Sequence, residues 1–88
     1  MLKLETTNKF EKDYVLVKKR GKDIQKFKNI VNNLLNDISL PAKNKLHKLS
    51  GNWGEHYECH IEPDWLLIFL KTDTAIRLVR TGSHSDLF

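Results

Sequence analysis

Glu55-His56-Tyr57-Glu58-Cys59-His60-Ile61-Glu62-Pro63-Asp64-Trp65-Leu66-Leu67-Ile68-Phe69-Leu70-Lys71-Thr72-Asp73-Thr74-Ala75-Ile76-Arg77-Leu78-Val79-Arg80-Thr81-Gly82 is the stretch whose reading decides the fold. Residues 55–61 alternate polar and apolar, 65–70 form an unbroken apolar run of strand length, and 75–82 give a third strand. Glu62-Pro63 and Thr72-Asp73 are the expected turns, so the segment reads as an antiparallel meander. With two-residue turns, Ile61 opposes Asp64, Lys71 opposes Thr74, and His60, Trp65 and Arg80 form one row across the strands. His56 and Glu58 then share that face, and Tyr57, Cys59, Ile61, Leu66, Ile68 and Val79 lie opposite. This register leaves Arg77 among apolar residues and Leu67 and Leu78 among polar ones, a conflict that a β-bulge would relieve.

Upstream, the period is helical. Met1–Glu5 reads as a first strand, and Thr6, Thr7 and Asn8 offer N-caps, with Glu11 placed as the partner in a capping box on Asn8. Phe10, Tyr14 and Val17 recur at helical spacing until Gly21. Asp23 caps a second helix with an apolar face of Ile24, Phe27, Ile30, Val31, Leu34 and Leu35, and Asn36 ends it. The expectation is one α+β domain over residues 1–88: a strand, a helical hairpin and a meander, with the helices packed on one sheet face and the other open.

Composition narrows the class. A hydrophobic content of 40% suits a thin core and is too high for a disordered tail. No apolar run approaches the roughly 20 residues of a membrane-spanning helix. Met1–Glu5 has no apolar signal-peptide core, and Cys59 is the single cysteine, so a reducing, cytoplasmic setting is expected. Fifteen Lys/Arg against 11 Asp/Glu give a net +4, and eight of the bases fall between Lys9 and Lys28. Such a stripe fits RNA or an acidic protein partner equally well, and is also what a solvated helix face looks like.

The chemistry-bearing residues gather between His47 and Phe88. RNA cleavage without a metal needs a base for the 2′-OH proton, an acid for the 5′-oxygen leaving group and a cation for the phosphorane charge. Histidine serves either proton role near neutrality, arginine grips phosphate bidentately, and an aromatic ring stacks an unpaired base. His60, His84, Arg80 and Trp65 or Phe88 supply this set. Taken singly, each has a structural reading: a surface histidine, a core tryptophan, an Arg80–Asp64 ion pair, a terminal Phe88 anchor. Their co-location raises the catalytic reading. His56 and His60 with His47, His84 and Asp64 nearby suggest zinc as a competing use, but neither a CxxC pair nor HExxH is present, and no cofactor is expected.

Three ordered blocks carry a resemblance over nearly the whole chain: His47-x-Leu49-x-Gly51-x-Trp53, Cys59-His60-Ile61-Glu62-Pro63-Asp64-Trp65-Leu66-Leu67-Ile68, and Arg80-Thr81-Gly82-Ser83-His84-Ser85-Asp86-Leu87-Phe88. They resemble the RelE superfamily of type II toxin–antitoxin toxins, in its YafQ-like branch. The resemblance implies an endoribonuclease that cuts mRNA in the ribosomal A site, leaves a 2′,3′-cyclic phosphate and a 5′-OH, and is neutralised by a cognate antitoxin. Carried over by motif, His60, Asp64, Arg80 and His84 are the candidate catalytic residues: His84 the acid, His60 or Asp64 the base, Arg80 the phosphate clamp. His47, Trp65 and Phe88 are the candidate substrate contacts. The rivals are a non-catalytic RNA-binding module and a gyrase-directed toxin of the ParE type, against which His60, Asp64 and His84 together argue.

Overall fold

A computed structural model describes residues 1–88. Strand β1 (Lys3–Thr6) leads into helix α1 (Asn8–Lys19), and of the three possible caps Thr7 is used. Its hydroxyl accepts from Phe10 N at 3.0 Å and donates to Val79 O at 2.9 Å, so the cap is also a tie to a strand 72 residues away. That double duty selects Thr7 over Asn8, which is already helical, and the Asn8–Glu11 capping box does not form. Gly21, at φ 80°, turns the chain out of α1 where a side chain would be strained. Asp23 then caps helix α2 (Ile24–Leu35) by accepting from Gln25 N at 3.0 Å.

Two 3-10 turns (Ala42–Asn44 and Gly51–Trp53) flank the short strand β2 (His47–Lys48), and strands β3 (Tyr57–Glu62), β4 (Trp65–Lys71) and β5 (Ala75–Gly82) follow. The five-stranded sheet has the order β1-β5-β4-β3-β2; β1 runs parallel to β5 and the other pairs are antiparallel. A short helix, α3 (His84–Leu87), closes the fold. No helix is long and apolar enough to cross a membrane.

The strands lie where the alternation put them, but their register differs. The first turn is Pro63-Asp64, with Glu62 opposite Trp65, because proline's fixed φ suits the first corner of a turn better than the second. The second loop is longer than two residues: Lys71 opposes Ile76, and the Thr72 hydroxyl accepts from Thr74 N at 3.3 Å and Ala75 N at 3.0 Å. Bulges at His60/Glu62 and Ile68/Phe69 complete the adjustment. His60 therefore faces Leu66 and Arg80 faces Ile68, and the row of His60, Trp65 and Arg80 is not formed.

A one-residue slip turns every side chain over. Leu67 and Leu78 thereby join Cys59, Ile61, Trp65, Phe69 and Ile76 in the core, against Phe10, Val17, Phe27, Ile30, Val31 and Leu34 of the helices. Leu66 and Ile68 move to the opposite face, where Leu87 of α3 packs on them and Leu49, Trp53 and Val79 fringe the contact. Arg77 escapes the apolar face and pairs with Glu5 of β1 at 3.2 Å.

The main correction concerns Trp65. It is 1% exposed, and its indole Nε1 donates to Thr81 Oγ1 at 3.0 Å while Thr81 Oγ1 donates to Leu66 O at 2.7 Å. A ring in this position cannot stack on a substrate base; Trp65 is core. We expect Trp65→Ala to cost about 3–5 kcal/mol, a large part of a small domain's stability. Trp65→Phe keeps most of the packing and should cost far less, with any catalytic activity retained in the folded fraction. Urea denaturation of both variants is the check, and selective loss of activity in a stable Trp65→Phe protein would restore the substrate role.

Candidate active site

The face opposite α1 and α2 holds a row of three histidines. His47 enters from β2, His60 from β3 and His84 from the first position of α3. The ring centroids of His47 and His60 are 6.3 Å apart, and those of His60 and His84 are 5.7 Å apart. Each ring is held by a different group. His47 Nδ1 lies 2.7 Å from Lys45 O, which can only accept, so that nitrogen carries the proton. The buried Glu58 carboxylate then lies between two rings, its Oε1 3.3 Å from His47 Nε2 and 3.5 Å from His60 Nε2.

Asp64 holds the third ring. Its Oδ1 accepts from His84 N at 2.8 Å and lies 2.5 Å from His84 Nδ1. These two contacts, the backbone one first, hold the Asp64 carboxyl below its ordinary range. A carboxylate on Nδ1 keeps a proton there and leaves Nε2 of His84 free to work. Asp64 itself sits at the second corner of the β3–β4 turn, a place that the shifted turn created.

Arg80 is placed differently from expectation: its partner is Asp13 of α1, not Asp64. Nε and Nη2 meet the Asp13 carboxylate at 2.6 and 3.2 Å, and Thr81 N donates to the same group at 3.2 Å. The Asp13 hydrogen bond holds the guanidinium above even its usual high pKa. Nη1 makes no hydrogen bond within the protein. Phe88, unlike Trp65, has an accessible ring: it is 62% exposed and lies 6.3 Å from the ring of Trp53. His56 packs edge-on against Trp53 at 5.3 Å, outside the row. Burial pushes the Cys59 thiol up to about 12, so it stays protonated and inert.

Two members of the arrangement were not singled out from the sequence. Glu58 was legible in principle, since alternation puts it on the face of His60 two residues later. Asp13 was not, because 67 residues separate it from Arg80 and only the packing of α1 along β5 joins them.

Three histidines, each with a carboxylate beside its ring, an arginine and an exposed aromatic ring on one basic α+β scaffold place the chain in a class equipped for acid–base chemistry. The family described as bacterial toxin of type II toxin-antitoxin system, YafQ, matches residues 2–88. The chain is 42% identical over 86 residues to the mRNA interferase toxin YafQ of Escherichia coli K12, covering 97% of this chain and 94% of that protein. The crystal structure of the E. coli DinJ–YafQ toxin–antitoxin complex contains a chain of TM-score 0.91 and 41% identity, with 99% of this chain and 97% of that one covered. A metal-bound toxin from Helicobacter pylori superposes with TM-score 0.94 at 40% identity over the full length of both chains. The chain belongs to the YafQ family of type II toxin–antitoxin toxins.

Helix α3 is too short to stand alone. Ser83 and Asp86 form a reciprocal capping box, and Arg20 grips the same Asp86 with two hydrogen bonds of 2.6 and 3.2 Å. Arg20, followed by the Ser83 backbone, holds the Asp86 carboxyl well below the usual carboxylate range. A depressed carboxylate stabilises the fold fully above its unfolded pKa of about 3.9, and that contribution is lost as pH falls through the folded value. Asp86→Asn should therefore be less stable than wild type at pH 7, with a gap that narrows steadily below about pH 4. Denaturation midpoints across that range test this, and a gap independent of pH would show that the charge of Asp86 is not its source.

Proposed function

We propose that this protein is an mRNA interferase: an endoribonuclease that cuts mRNA in the ribosomal A site by general acid–base catalysis and is held inactive by a co-encoded antitoxin. The observation that carries the reading is the Asp64–His84 pair set 5.7 Å from the Glu58-backed His60 ring. Two imidazoles at that separation can flank one phosphate.

In the proposed step, neutral His60 takes the proton of the 2′-OH as its oxygen attacks the phosphorus. His84, with Nδ1–H on Asp64, gives its Nε2 proton to the departing 5′-oxygen. The P–O5′ bond breaks, leaving a 2′,3′-cyclic phosphate and a 5′-OH. Asp64 is committed through Oδ1 to the backbone N–H and the ring Nδ1 of His84, which supports it as the residue that orients the acid and leaves His60 as the base. Glu58 steadies His60 and His47 and compensates charge when either is protonated. Arg80 meets a phosphate oxygen through Nη1, and Phe88 offers its exposed face to a base.

His84→Ala is expected to lower cleavage by about 10²–10⁴-fold with an unchanged fold. Primer extension on cellular mRNA after brief induction, with circular dichroism of the purified variant, measures both. Cleavage of magnesium-free RNA should persist in excess EDTA if free RNA is cut; activity abolished by EDTA and restored by zinc would move the chemistry to a metal, as the metal-bound Helicobacter pylori relative makes worth testing.

The inhibitor should meet the basic surface of α1. Lys18 and Lys19 are exposed, whereas Arg20 is occupied by Asp86. Lys18→Glu with Lys19→Glu should slow association with the co-encoded protein and flatten its salt dependence, with little change in dissociation. Stopped-flow association across a salt series is the measurement, and unchanged rates would place the inhibitor elsewhere.

A further inference from the structure

At the outer edge of β3, between α2 and the 3-10 turn at Ala42–Asn44, lies a concavity of about 470 Å³ that reaches His60. It exists because β3 outruns its neighbour. β2 pairs only with Tyr57 and Glu58, so the outer edge of β3 from Cys59 onward has no strand beside it. The buried Asn44 takes part of that place, its Nδ2 donating to His60 O at 2.7 Å. His60 thus lines this groove and belongs to the histidine row as well.

The walls combine charged and amide side chains. Lys22 and Lys26 are both drawn onto Glu62, at 3.3 and 2.9 Å, so one of their two charges is offset and their ammonium groups are held at that carboxylate. Between these charges the groove offers amides. Asn29 and Asn33, four residues apart on α2, face the groove together. The Asn33 side chain has no protein hydrogen bond, and Asn29 uses only Oδ1, accepting from Gln25 at 2.9 Å. Pro41 and Pro63 supply flat apolar surface at the rim. A nucleobase would find paired donors and acceptors for its edge and apolar surface for its faces, with the remaining positive charge left for the phosphate attached to it. The volume lies within the range of small-ligand sites. Lys43, which has no ion-pair partner, stands at the border, suited to the phosphate that follows.

We propose that this groove is the base-reading subsite of the nuclease, in which Asn29 and Asn33 recognise the edge of a nucleotide adjacent to the scissile phosphate held at His60. The proposal rests on the ribonuclease reading above and assigns sequence preference to α2, a part of the molecule that takes no part in proton transfer.

The test compares wild type, Asn29→Ala/Asn33→Ala, Lys43→Ala and His84→Ala by mapping 5′ ends of cellular mRNA after brief induction, with the co-encoded inhibitor's affinity measured in parallel. Both asparagines are on a helix surface, where alanine is the better helix former, so the double variant should fold. The expected result is a loss of roughly 5- to 100-fold at the wild-type sites and a weakened preference at one nucleotide next to the cut. Lys43→Ala should lower cleavage evenly across sequences. A double variant with wild-type rate and wild-type sequence spectrum overturns the proposal, and so does one that loses only inhibitor affinity, since the groove would then serve a protein. If wild type and His84→Ala give the same 5′ ends, it is the ribonuclease reading that fails.

Discussion

The indole of Trp65 donates to Thr81, and Thr81 in turn donates to the carbonyl of Leu66, inside a region with almost no exposed surface. Each such bond contributes only about 1 kcal/mol net, but an unmatched partner here would cost more. Their position gives them wider influence. Asp64 immediately precedes Trp65, Arg80 immediately precedes Thr81, and His84 follows three residues later. The tie therefore fixes the start of β4 to the end of β5, and three of the candidate site residues are carried close to it in the chain. Burial of the ring on the helix side is what forces its neighbours onto other faces.

Electrostatics around the site follow a consistent pattern. The cations nearest the chemistry have partners within the fold: Arg80 has Asp13 and Arg20 has Asp86. The carboxylates are also divided, with Glu58 serving two imidazoles and Asp64 a third. A protein of net +4 thus keeps its uncompensated lysines mostly away from the histidine row, on the helical hairpin. Long-range attraction and local chemistry are assigned to different surfaces, so one can be altered without the other.

Much of this was legible in the sequence. The strand at 75–82, the caps at Asp23 and Asn36 and the stripes of α1 and α2 follow from periodicity and turn chemistry, which are local properties. The resemblance supplied His47, His60 and His84, whose rings stand in one row, Asp64, which holds the third of them, Phe88, which lies beside Trp53, and Arg80, which meets Asp13. What failed was register, because a proline can be read at either corner of a turn and a bulge has no strong local signature. That single displacement put Trp65 on the wrong face. The helix at His84–Leu87 was also missed: four residues give no period, and its stability comes from Leu87 on Leu66 and Ile68 and from a distant arginine.

The parallel pairing of β1 with β5 has a kinetic meaning. Lys3 to Thr6 match Ala75 to Leu78, and Thr7 hydrogen-bonds to Leu78 O and Val79 O, so the sheet is closed by contacts across about seventy residues. Helices α1 and α2 can form early from local contacts, but they have no complete surface to rest on until that closure occurs. Chains dominated by such distant pairings refold in milliseconds to seconds, where helical bundles need microseconds to milliseconds. Until β1 arrives, β5 presents an open edge able to pair with another chain. The concentration at which this protein refolds cleanly should therefore be set by competition at that one edge.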